Sequence, residues 1–99
     1  MSNTPRDAPK KYLVDKGDNF LTGPLRDDAP PGARAAQAIA QGIDAALRAN
    51  GRSLRAVAAE AGTTHTTLRR TMLGETSPDV DTIANLQAVL GVRLWPRAD

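Results

Sequence analysis

Between Arg34 and Gly74 the chain carries six arginines (Arg34, Arg48, Arg52, Arg55, Arg69 and Arg70) against two acids, Asp44 and Glu60. That stretch holds a charge of +4, while residues 1–33 balance to zero and residues 75–99 carry −2, which together give the chain's +2. Arginine presents a planar fork of N–H donors that suits phosphate oxygens and the acceptor edge of guanine. A GC-rich genome would favour arginine over lysine throughout, 10 against 3 here, but it would not gather arginine in one segment. Interleaved with the cluster are His65 and five threonines between Thr63 and Thr71, whose hydroxyls can cap a helix or meet phosphate. Other chemistry is poorly supplied. There are no cysteines for a disulfide or a thiolate metal site, and one histidine cannot build a His-based zinc site. No phosphate-binding loop is present, and no nucleophile has a base beside it. Asp79 and Asp81 read as charges at a helix start rather than a metal pair. No cofactor, metal site or enzymatic activity is expected.

These side chains need elements to hold them, and the composition favours helices. Ninety-nine residues suffice for one domain. Of the 40% that is hydrophobic, 17 residues are Ala, and the 23 larger ones include one Phe, one Tyr and one Trp. Strands draw on β-branched and aromatic residues, so this set points to small packed helices. Ile39, Ile43 and Leu47 recur every four residues and predict a helix from about Ala33 to Ala49, stopped at Asn50-Gly51. Ser53 is placed to cap a second helix through Ala61, with Leu54, Val57, Ala58 and Ala61 facing inward. Gly62 breaks the chain, Thr64 caps a third helix to about Leu73, and Gly74 ends it. Ser77-Pro78-Asp79 opens a fourth, lined by Val80, Ile83, Leu86, Val89 and Leu90 and closed by Gly91.

The second and third predicted helices are short and almost contiguous. Counting Leu54 as the first position, Ala58 falls fifth, Gly62 ninth and Leu68 fifteenth. This is the spacing of a helix-turn-helix: a small residue where two helices cross, a glycine in the turn, and an apolar anchor on the second helix. With its flanks, from Ser53-Leu54-Arg55 through Gly74 to Pro78, Ile83, Leu86 and Leu90-Gly91-Val92, the segment resembles the Xre family of Cro/repressor-like regulators over about residues 34–95. The resemblance implies an all-α, compact four- to five-helix lambda-repressor-like domain, here with an extended N-terminal arm. It also implies double-stranded DNA as partner, a homodimer, and the third helix in the major groove. Two departures stand out. Leu54 occupies the place of a backbone-contacting Gln, and Thr63 and Thr71 replace larger apolar residues, so looser packing is expected there.

On a helix starting near Thr64, His65, Thr66, Arg69 and Arg70 project away from the face of Leu68 and Met72. The resemblance places Thr64, His65, Thr66 and Thr67 at base edges and phosphates, near N–H groups that favour anions. Arg69 is suited to guanine or phosphate and Arg70 to phosphate, while Arg55 would meet the backbone across the groove. These seven residues form the expected DNA-binding set.

Outside this unit, residues 1–32 read as a Pro-rich arm; residues 1–33 hold five of the seven prolines. Tyr12-Leu13-Val14 and Phe20-Leu21 suggest a short hairpin at 12–22, which alone would be marginal and must pack on the domain or on a protein partner. The globular domain is expected over 33–95, with Trp95 as a core plug and 96–99 as a tail. No apolar run approaches the ~20 residues that span a bilayer, so a cytoplasmic protein is expected. Three functions compete: a dimeric repressor, an antitoxin whose arm covers a toxin, and an interaction module that no longer binds DNA.

Overall fold

The computed structural model describes residues 7–96. Four α-helices dominate it: α1 (Pro31–Asn50), α2 (Leu54–Glu60), α3 (His65–Met72) and α4 (Val80–Leu90). A 3-10 turn at Pro9–Tyr12 precedes them. Among the described residues there is no named strand, and one isolated antiparallel bridge joins Leu13 to Leu25.

The boundaries follow from capping chemistry. Pro31 occupies the first turn of α1, where a missing N–H costs nothing, so the helix begins two residues before the predicted Ala33. Ser53 Oγ accepts from the Ala56 N–H at 3.1 Å and Thr64 Oγ1 from the Thr67 N–H at 3.0 Å, starting α2 and α3. Asp79 caps α4, accepting from the Thr82 N–H at 2.7 Å, so Pro78 stands just outside that helix rather than in its first turn. That hydrogen bond is the main cause holding the Asp79 carboxyl below the ordinary carboxylate pKa. A depressed folded-state value means that the cap's charge contributes stability above the unfolded pKa and loses it as pH falls through the folded one. Asp79→Asn, which keeps an acceptor but cannot titrate, should therefore flatten the acid limb of a thermal-stability profile below pH 4, while Asp79→Ala should lower the melting temperature at neutral pH. Melts followed by circular dichroism across pH 2–7 check both.

The main core gathers Ile39, Ile43 and Ala46 of α1, Val57 and Ala58 of α2, Leu68 of α3, and Ile83, Leu86 and Leu90 of α4. Leu94 completes it at 4% exposure, its N–H donating to Gln87 Oε1 at 2.8 Å. Leu94, not the expected Trp95, is the plug, because the irregular tail turns Trp95 outward to 40% exposure. Val80, expected to face inward, is 65% exposed, since the helix starts there and its inward stripe begins only at Ile83. Thr71 is buried, with its hydroxyl donating to the Thr67 carbonyl at 3.4 Å. No buried side-chain polar atom among the described residues lacks a partner.

The arm folds onto its own domain. A second core joins Leu13 and Phe20 to Ala36 and Ala40 of α1, with Leu21, Leu25 and Met72 against it. This explains the alanine-rich flank of α1: small side chains let a chain segment approach the helix closely. The expected hairpin at 12–22 is replaced by a wider loop. Val14 N–H donates to the Pro24 carbonyl at 2.9 Å and Arg26 N–H to the Tyr12 carbonyl at 2.7 Å, so the partner of Leu13 is Leu25. Phe20 is drawn out of the pairing into the second core. Residues 1–6 of the arm and 97–99 of the tail lie outside the described residues.

Candidate nucleic-acid interface

The turn between α2 and α3 is built as the spacing requires. Ala58 is 1% exposed, and its carbonyl accepts from the Thr63 N–H at 3.0 Å, closing the end of α2. Gly62 sits at φ +75° with open space where a Cβ would stand, so its need for glycine is conformational. Leu68 and Val57 are fully buried, and they fix α3 against α2 and the main core.

With Leu68 and Thr71 turned inward, α3 presents Thr66, Thr67, Arg69 and Arg70 to solvent and His65 half-exposed. His65, Thr66, Arg69 and Arg70 line a shallow groove of about 300 Å³ together with Leu73 and Glu75. Thr64 and Thr67 have a different local role. The Thr64 hydroxyl donates to Thr67 Oγ1 at 2.8 Å while accepting from the Thr67 N–H. Its one proton is committed to the cap, which leaves Thr66 and Thr67 as the hydroxyl donors at this end. The N–H groups of His65 and Thr66 belong to the first turn, where a helix has no acceptor of its own to offer. Arg55 is exposed on α2, outside the groove.

The arginines divide into two sets. Arg26 pairs with Asp28 at 2.9 Å, which lowers the pKa of Asp28, and Arg48 pairs with Asp44 at 2.9 Å. Arg52 pairs with Glu60. Arg34 donates to the Arg26 carbonyl at 2.8 Å and Arg93 to the Trp95 carbonyl at 3.3 Å. Among the described residues, only Arg55, Arg69 and Arg70 have guanidinium groups without a protein partner. They stand on the two helices of the helix-turn-helix, where three forks remain available to an anion.

Sequence reasoning missed Leu73 and Glu75 on the groove. Leu73, 43% exposed, lies four residues after Arg69, and helical spacing could have found it. Glu75 requires the geometry of the turn after α3. Lys10, whose Nζ is 3.8 Å from Glu75 Oε2, depends on the path of the arm, which no local pattern encodes.

Two short helices crossing at an alanine, a glycine turn, and a second helix with an exposed basic face define a helix-turn-helix DNA-binding domain. The helix-turn-helix family matches residues 43–94, more than half of the chain, and the chain belongs to this Cro/C1-type, Xre-like family of DNA-binding regulators. No curated protein and no solved structure matches the chain. Among the described residues no helix is long and apolar enough to cross a membrane.

Proposed function

We propose that the protein is a sequence-specific transcriptional repressor that binds as a homodimer and reads the major groove with residues 64–73. The partition of the arginines carries this reading: the three without an internal partner among the described residues are those on α2 and α3. In the assigned roles, Arg69 grips a guanine edge or a phosphate and Arg70 a phosphate. Thr66, Thr67 and His65 meet base edges at the helix start, Thr64 holds that start in place, and Arg55 takes the backbone across the groove. Two copies would dock in successive major grooves about 34 Å apart and occlude a promoter. Val80 at the start of α4 and Val92 and Trp95 in the tail are exposed apolar side chains that a second copy would cover. The antitoxin reading has less support, because Leu13 and Phe20 are already buried on the chain's own domain and are not offered to a partner. Footprinting on DNA upstream of the protein's own gene tests the proposal. Two symmetric protected half-sites one helical turn apart are expected; a single asymmetric half-site would contradict dimeric binding.

A further inference from the structure

Among the described residues, the arm meets the recognition helix at its C-terminal end, against Met72 and the turn that follows it. Gly74 N–H donates to the Thr71 carbonyl at 3.1 Å and Glu75 N–H to the Arg70 carbonyl at 2.9 Å, so the turn closes on the backbone of a groove-lining residue. A helix end of this type commonly carries its own apolar cover across the turn. Here the cover comes from the arm. The ring of Phe20, 3% exposed, fills the space where a Gly74 side chain would start, and Lys10 N–H donates to the Gly74 carbonyl at 2.9 Å. Lys10 Nζ faces Glu75, the acid on the groove. Met72, on the last turn of α3, packs against both cores.

The arm is in turn fastened to α1. Gln37 Nε2 donates to the Phe20 carbonyl at 2.9 Å and to the Gly23 carbonyl at 2.7 Å. Gln41 Nε2 donates to the Leu21 carbonyl at 2.9 Å, and Arg34 holds the Arg26 carbonyl at 2.8 Å. Arg34, Gln37 and Gln41 recur at helical spacing, a polar stripe that binds arm carbonyls. The path from α1 through the arm to the end of α3 is continuous.

We infer that residues 8–26 are a positioning element for the recognition helix: Phe20, held by Gln37, sets the Gly74 turn and through it the placement of Arg69 and Arg70. The inference rests on the DNA-binding reading above. Its consequence is that loosening the arm weakens DNA binding while α1, α2 and α4 stay folded.

The test uses the full chain with Phe20→Leu and, separately, Gln37→Ala, which removes the fastening without opening a core. Leu90→Ala, in the main core and away from the arm, is the control, compared at a temperature where every variant is folded. Two readouts are taken: amide hydrogen exchange, and affinity for the duplex from the protein's own upstream region. In both arm variants, exchange at Leu73, Gly74 and Glu75 should rise about tenfold, and affinity should fall about tenfold, the scale of one impaired base contact. The control should change neither selectively. Unchanged exchange at those amides overturns the coupling. Raised exchange with unchanged affinity overturns the positioning role. A wild-type chain that binds no duplex, with exchange still raised in the variants, overturns instead the DNA-binding reading beneath the inference.

Discussion

Gly74→Ala should lower the stability of the protein by about 2–5 kcal/mol. Two independent costs combine. Gly74 holds φ +72°, and an L-residue in the left-handed region costs roughly 1–2 kcal/mol. A Cβ there would also stand 2.5, 2.6 and 2.9 Å from Phe20 Cγ, Cδ1 and Cδ2. Overpacking of this kind adds about 1–3 kcal/mol. The ring has little freedom to move, since it is buried with Leu13, Ala36 and Ala40. Gly62→Ala is the matched comparison, because φ is similar at +75° and nothing lies within 4 Å of the new atom. It should show only the backbone cost, about 1–2 kcal/mol. Thermal unfolding followed by far-ultraviolet circular dichroism separates the two, with a drop of at least about 8 °C expected for Gly74→Ala. Equal losses at the two glycines would mean that Phe20 does not occupy the Gly74 turn in solution.

The double change Arg69→Ala with Arg70→Ala should leave the fold intact and reduce affinity for the specific DNA by about 10²-fold or more, since one bidentate base contact alone is worth about 1–3 kcal/mol. Both side chains are exposed and, among the described residues, make no internal ion pair, and alanine is a good helix former, so the melting temperature should hold. The salt dependence should also weaken, by about one in log–log slope for each phosphate that no longer meets a guanidinium. Arg55→Ala should behave differently, weakening binding uniformly across sequences, as a backbone contact does. Equilibrium titrations of specific and random duplexes at several salt concentrations check both variants. Unchanged affinity in the double variant would remove α3 from the interface.

The helix-turn-helix was legible because its determinants are local. Leu54, Ala58, Gly62 and Leu68 act within one short unit, and the Ser53 and Thr64 caps follow from side chains that reach only three residues ahead. The exposed face of α3 came from the same periodicity, with Leu68 turned inward and Arg69 and Arg70 outward. The arm was not legible, because its order depends on contacts between distant parts of the chain. Phe20 looked like half of a hairpin, yet its destination is Gly74, and the bridge to Leu13 is made by Leu25 instead. A flank of Ala33, Ala36 and Ala40 does not announce that a segment will lie against it. Gln37 and Gln41 carried no signal until the carbonyls they hold were in place. The tail misled for a similar reason: size favoured Trp95 as the plug, but Gln87 Oε1 accepts from both the Leu94 and Trp95 N–H groups, and the tail held in this way turns Leu94 inward and Trp95 outward.

If the exposed arginines of α2 and α3 face DNA and α3 reads its sequence, binding must depend on both salt and sequence. The quantity to determine is the affinity of the wild-type protein for its own upstream DNA and for a random duplex of equal length, titrated with salt. A steep loss of affinity with salt is expected for both duplexes, with a preference of about 10³-fold or more for the upstream sequence. Weak binding that is indifferent to both salt and sequence would contradict the assignment of α3 to DNA.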